Sequence, residues 1–491
     1  MSLDPRMPVL VGAAAVQQRE DDPRRAREPI ELMIDALQRA ADDAGCRALL
    51  AEADSVRVPR GFWDYSDPGR LIADRLGAGR AQTHLAEIGV LQTTLFGGAA
   101  AAIASGAADV VLVAGGEAKY RSLRAQVTGT AARSTTQAGV EPDEVLRPAR
   151  EIWSPLEEAL GLLMPVTQFA MIENALRRAE GASLDQHRAE IARLWADFSR
   201  VAAGNPAAWS REPRDAAELL GGGSGNRLIA FPYAKLHNSQ WNVDQAAGLI
   251  FTSVAAAHAA GIDERRWVFP LAVAESNHMV PLSERAELHR SHGFRVAGRR
   301  ALDRAGIAME DVEYLELYSC FPVAVRVQAR ELGIDAGRSL TLTGGMAFAG
   351  GPLNNFVLQA LVRMAETLRR DRTGTGLLTA VSGMLTKQGV SLWSARPPAR
   401  ACEWIDVSDE VAAATRTVEV ASDYAGPATI ASYTVLHDGG APVRAAAICD
   451  LPDGRRALAT STDARLAAAM CEADFCGRRV TLGAGHTVKE L

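Results

Sequence analysis

The chain has 491 residues, 48% of them hydrophobic and 23% charged, with a net charge of -6 and a pI near 5.9. That length points to two or three domains around a substantial core, and the lack of a basic excess points away from nucleic acid as a partner. Cys46, Cys320, Cys402, Cys449, Cys471 and Cys476 follow no pairing rhythm and read as reduced thiols of a cytoplasmic protein. Met1 to Arg19 has no signal-peptide pattern. Phe96 to Gly116, the most membrane-like stretch, is broken by Ser105, Gly106 and Asp109, so it reads as a buried helix and strand, with no membrane span.

In chain order, strand-like Val9–Gly12 leads to a helix pattern over Glu28 to Ala44, ended by Gly45, and to a strand over Ala53–Val58. A helix from about Thr93 to Ser105 precedes the strand Val110–Gly116. The later half repeats this order. Val268 to Ala274 leads to a helix closed by Gly306, then to the strand Val312–Leu317. A glycine-rich turn at Gly344-Gly345 precedes a helix over Phe356 to Leu368, and strands follow at 376–382 and 389–393. Glycine just past a helix supplies a left-handed C-terminal cap. Alternating strands and helices predict an α/β fold with parallel sheets, and a repeat of this length predicts duplicated domains.

Between the halves runs a helix-rich insertion, its clearest helix at Asp185 to Ala202. Gly221–Gly225 lacks a following Lys-Ser/Thr and a preceding strand, so it reads as a connector, not a phosphate loop. After Pro397 strands are expected at 417–420, 428–435, 445–449 and 457–460, with hairpin turns at His437–Gly440 and Pro452–Arg455. A small β-barrel or sandwich follows, an oligonucleotide-binding-type barrel being one candidate.

Four segments together resemble the thiolase superfamily, in its sterol-carrier-protein-like branch. Ala101–Gly116 is similar to the helix and strand after the thiolase nucleophile. Asn242–Ala247 resembles a shortened "N-x-x-x-x-D-G-A-A" region. Leu317-Tyr318-Ser319-Cys320-Phe321 falls where that branch has His-Asp-Cys-Phe or Asn-Glu-Ala-Phe, and Gly344–Pro352 falls where it has "G-G-x-x-x-x-G-H-P". The likeness spans about residues 8–396 in the right order. It is strongest to a group of actinobacterial thiolase-like proteins named acetyl-CoA acetyltransferases, which carry the same insertion and tail. The fold it implies is two βαβαβαββ halves layered α-β-α-β-α. Residues 1–118 and 237–266 then form the first half, 119–236 the insertion, 267–400 the second half and 401–491 the β-barrel domain.

Thiolase chemistry needs a thiolate at a helix N-terminus, where dipole and backbone N–H groups lower its pKa. The resemblance maps that position to Gly89, and no cysteine stands between Cys46 and Cys320. Thr93 or Thr94 could replace it in principle, but neither has an obvious base. The histidine of "G-H-P" maps to Gly351, and the proton-shuttling second cysteine maps near Ser382 or Gly383. What remain as catalytic candidates are Cys320, which matches a cysteine of the sterol-carrier branch, and Tyr318, whose phenol moves protons only if its pKa falls. His237, Asn238 and His278 stand near predicted strand ends, where turn residues are the ordinary reading. No metal-ligand spacing occurs, so no metal is expected, nor any covalently bound cofactor.

The resemblance implies coenzyme A or an acyl-CoA as ligand; Lys119, Arg121 and Arg124 near the start of the insertion are candidate phosphate contacts, with solvated surface charge as their default reading, and no CoA-contacting residue is assigned. Four functions stay open at this point. One is a thiolase-like acyl-CoA-binding protein without ordinary thiolase activity. The others are a retro-aldolase on β-hydroxyacyl-CoA using Tyr318, an acyltransferase through Cys320, and a scaffold docking a partner enzyme of lipid or steroid metabolism. A homodimer pairing around Thr83 to Ile88 is a further expectation.

Overall fold

The computed structural model describes residues 3–223 and 225–490, so Ser224 of the glycine-rich connector lies outside the described residues. The first sheet runs, edge to edge, through Pro8–Gln18, Asp244–Ser253, Val110–Ala118, Ser55–Pro59, Gln82–Ala86 and Glu144–Leu146. Asp244–Ser253 is antiparallel to both neighbours, and the strands beyond it are parallel to one another. The second sheet runs through Tyr314–Glu316, Thr375–Ser382, Lys387–Ser394, Phe269–Ser276 and Trp404–Asp406. Here Lys387–Ser394 is the antiparallel strand, again beside the first strand of its half. The two halves are therefore one topology used twice. Their first strands touch at Leu10 and Val268, which exchange backbone hydrogen bonds of 2.8 and 3.0 Å.

Two helices, Gln92–Ser105 and Phe356–Arg370, fill the space between the sheets. Gln92–Ser105 is apolar or small nearly all round, and its first nine residues are buried. A helix without a polar face belongs inside. Pro29–Ala44 covers the outer face of the first sheet and His292–Ala305 that of the second, giving the α-β-α-β-α layers. Gly45 (φ 78°) and Gly306 (φ 69°) end those outer helices in the left-handed conformation their positions predict.

The insertion contributes helices Pro165–Glu180 and Leu184–Ala203, which pack beside Pro322–Leu332 and the tail. In the tail, Gly426–Asp438, Ala441–Asp450, Arg456–Ser461, Thr487–Glu490 and Arg479–Gly483 close into a five-stranded barrel. Both hairpin turns occur: Gly439 and Gly440 have φ of 56° and 94°, and Leu451 N–H bonds Arg455 O.

Three details differ from the sequence reading. The segment 417–420 forms only isolated bridges, Arg285 to Thr417 and Val420 to Arg456, because its partners lie in separate elements. Trp404–Asp406, past residue 400, belongs to the second sheet, parallel to Phe269–Ser276. The first sheet's edge at Gln82–Ala86, where subunit pairing was expected, is covered by the chain's own Glu144–Leu146. His84 Nδ1 and a Glu144 carboxylate oxygen lie 2.6 Å apart across that pair.

Candidate functional site

The N-terminus of the central helix Gln92–Ser105 opens on a cavity of about 370 Å³ lined by Thr94, Glu275, Lys387, Arg147 and Arg150 among others. Gly89, three residues before the helix, sits at φ 103°, and a Cβ there would press on Pro148 at 3.0 Å. Its carbonyl accepts from Ser382 Oγ at 2.9 Å and from Lys387 Nζ. Gly89 and Ser382, far apart in sequence, thus meet in space as a glycine carbonyl and a serine hydroxyl. Thr93 and Thr94 both donate to Glu275, at 2.7 and 2.9 Å. Their hydroxyls therefore hold a carboxyl group in place. Burial raises the Glu275 carboxyl and lowers the Lys387 ammonium to about 8.

The glycine-rich segment 344–352 forms a second wall. Gly351 donates its N–H to Gln240 O at 2.8 Å, and a Cβ on Gly351 would land on Ser239 Oγ. Ser239 thus fills the space beside Gly351. Ser239 N–H in turn donates to Cys320 O at 3.2 Å, and Ser319 Oγ accepts from Met346 N at 3.1 Å. The Tyr318 ring packs edge-on against Phe356, with centroids 6.0 Å apart. Burial pushes both the Cys320 thiol and the Tyr318 phenol well above their ordinary values. A link joins the two walls: Gln92 Nε2 donates to Asn354 Oδ1 at 3.1 Å.

A larger cavity, about 470 Å³, opens at the ends of Ser55–Pro59 and Val110–Ala118. Lys119 Nζ lies 4.0 Å from the Phe62 ring centroid and 4.1 Å from that of Trp241, and both rings are nearly half exposed. A cation held against aromatic faces still presents its charge to solvent. Arg121 is spent elsewhere, on Ala26 O and Arg133 O, and Arg124 bonds Asp21 O outside the cavity. Of these three basic residues, Lys119 is the one held against aromatic rings beside the cavity.

Beside it Glu117 is buried and accepts from Phe62 N at 2.8 Å. Desolvation dominates over that bond and over Lys119, raising its carboxyl to about 7, while Asp244 rises to about 6. An acid raised in the native state favours folding only while protonated. The unfolded chain releases this proton first, so stability falls as pH climbs from the ordinary glutamate value to about 7. We expect Glu117→Gln to gain about 3 kcal/mol on the wild type between pH 5 and pH 8. Parallel urea melts at the two pH values check this, and a constant difference would refute it.

Two family descriptions match the chain: "Thiolase C-terminal domain-like" over residues 274–354 and "Thiolase-like protein type 1 additional C-terminal domain" over 406–487. A monomeric SCP2-thiolase-like protein type 1 from Mycobacterium smegmatis superimposes over 100% of both chains, with a TM-score of 0.84 and 28% identity. The chain has the thiolase fold and carries two thiolase-like family domains. This thiolase-like chain also matches a Pseudomonas aeruginosa acetyl-CoA acetyltransferase at 35% identity over 100 residues, which are 20% of this chain and 25% of that one. The match thus spans a quarter of that relative. The Ltp2-ChsH2(DUF35) aldolase (19% identity, TM-score 0.58) covers 80% of the chain and 99% of its own. The acetyl-CoA acetyltransferase from Syntrophomonas wolfei (18%, 0.56) covers 79% and 99%. Both likenesses show the fold.

The remaining predicted positions are structural in this thiolase-like frame. His237 is buried, accepts from Ala234 N at 3.1 Å and contacts Leu219 O at 2.7 Å; burial lowers it to about 4. Asn238 donates to Ala234 O. His278 lies beside a void of only about 30 Å³. Glu180, His187 and Glu190 converge as metal ligands would, yet Arg326 already occupies their centre with bonds of 2.6 and 3.1 Å to the two carboxylates. All six cysteines are free, and among the described residues no helix is long and apolar enough to cross a membrane. Sequence reasoning missed Glu275 and Lys387. The available signal was scarcity: the chain's 53 basic residues include only four lysines, at 119, 235, 387 and 489.

Proposed function

We propose that this thiolase-like protein binds coenzyme A or an acyl-CoA and does not perform ordinary thiolysis. The observation that carries the reading is the mouth of the central helix. Gly89 offers no side chain, its carbonyl is capped by Ser382 and Lys387, and the nearby threonines are bonded to Glu275. Ordinary thiolysis requires a thiol that can carry the acyl group as a thioester, and neither Gly89 nor the Glu275-bonded threonines supply one. The named relatives that act on acetyl-CoA support the ligand class, and the exposed Phe62–Lys119–Trp241 cluster supports a place for a phosphate-bearing, ring-bearing ligand. The covered sheet edge at Gln82–Ala86 supports a monomer. Cys320 and Tyr318 remain the candidate residues for residual acyl transfer or a lyase. Their raised pKa values weigh against both, since a thiolate or phenolate is what either role needs.

The test is thermal denaturation with acetyl-CoA and longer acyl-CoAs. A ligand at a hundredfold its Kd stabilises the native state by roughly 2.7 kcal/mol, and Lys119→Ala is expected to need about tenfold more ligand for the same shift. Acetoacetyl-CoA with free CoA is expected to give no turnover above background. No shift with any CoA ester would favour the scaffold reading, and enzyme-like thiolysis would overturn ours.

A further inference from the structure

Lys387 and Glu275 are brought together by strand register. Gly389 pairs with Glu275 across adjacent antiparallel strands, so both point to the same face of the second sheet. Lys387, two residues before Gly389, shares that face, which looks onto the central helix. Gly389 has no side chain, and a Cβ there would collide with Thr93, so the glycine is what lets Thr93 reach Glu275. Lys387 and Glu275 are each 2% exposed, and both line the same 370 Å³ cavity. A chain that uses arginine almost everywhere carries a lysine at this point. The difference matters chemically, because a guanidinium stays protonated in proteins whereas a buried amine can lose its proton and become a nucleophile. Here burial takes the ammonium down to about 8. On the rim of the cavity, Arg147 and Arg150 are exposed cations.

From this arrangement we infer that Lys387 is a carbonyl-capturing amine, forming a reversible imine with a small oxo acid whose carboxylate is met by Arg147 and Arg150. The neutral Nζ adds to the carbonyl carbon, and the C=O π electrons move to oxygen. A proton passes from nitrogen to that oxygen. Glu275 gives a second proton, the C–O bond breaks and water leaves. The product is an iminium cation beside the Glu275 carboxylate, with charge and atoms conserved and no redox partner required. Thr93 and Thr94, donating to Glu275, steady the carboxylate that results. This reaction stands apart from acyl-CoA binding, since the captured molecule carries no coenzyme A.

Trapping tests it. The full chain is incubated with pyruvate and sodium cyanoborohydride, which reduces the imine to a stable secondary amine, and the labelled lysines are located by peptide mass spectrometry. We expect Lys387 to carry about tenfold more label than Lys119, Lys235 or Lys489, because burial in the cavity favours its neutral, nucleophilic amine. Acetone, which has no carboxylate, is expected to label it about tenfold less than pyruvate. Glu275→Gln should slow the labelling of Lys387, and Lys387→Arg should abolish the excess. Should Lys387→Arg fail to fold, the wild-type peptide map alone decides. Uniform label on all four lysines, or an unmodified Lys387, would overturn the inference. Equal labelling by acetone would overturn the oxo-acid assignment.

Discussion

Replacing Glu173 with alanine is expected to destabilise the protein by about 3–5 kcal/mol, the cost of leaving buried charge without its partner. Glu173 lies on Pro165–Glu180 of the insertion and is fully buried. Its carboxylate contacts His187 Nε2 at 2.8 Å, accepts from Arg326 Nη1 at 3.0 Å and from the Tyr233 hydroxyl at 2.5 Å. Desolvation alone would raise this carboxyl, but His187 and Arg326 outweigh it and hold it at about 2. The pairing is therefore intact at neutral pH and is lost only on strong acidification, opposite in sign to Glu117. Arg326 belongs to Pro322–Leu332 of the second half, so the cluster clamps the insertion onto the body. Alanine at 173 should accordingly speed proteolysis within the insertion as well as lower Tm. Glu180→Ala, removing a partner that is one-third exposed, should cost less than about 1 kcal/mol. Equal losses in the two variants would show that the clamp is not centred on Glu173.

The long elements were legible because their physics is local. The helix read over 28–44 is Pro29–Ala44, and the one read over 356–368 is Phe356–Arg370. In each, apolar spacing and flanking residues carry the signal without help from tertiary structure. What escaped was short and defined by partners. Glu144–Leu146 is three polar-flanked residues that become a strand only because Gln82–Ala86 offers an open edge. Trp404–Asp406 is equally short and exists against Phe269–Ser276. The candidate site divides in the same way. Gly89 and Gly351 are singled out by motif matching, which needs no geometry. The Lys387–Glu275 pair joins residues over a hundred positions apart, and only the register of two strands makes them neighbours.

Gly344 offers the second large effect, with a control built into the same chain. Its φ is 94°, and a Cβ would land on the backbone nitrogen and Cα of Ala202, at the end of the insertion helix Leu184–Ala203. Gly337 has nearly the same φ, 96°, but nothing lies within 4 Å of its would-be Cβ. Alanine at 337 therefore reports the left-handed backbone penalty alone, about 1–2 kcal/mol. Alanine at 344 adds overpacking against backbone that has no rotamer to yield, for a total of about 4 kcal/mol. The same substitution should weaken any ligand held in the cleft, because it displaces the segment that positions Met346 N on Ser319 Oγ and Gly351 N on Gln240 O. Chemical denaturation of the two variants separates the contributions. If Gly337→Ala and Gly344→Ala lose equal stability, the close approach of loop and insertion helix contributes nothing, and the glycine-rich segment is explained by its dihedral angles alone.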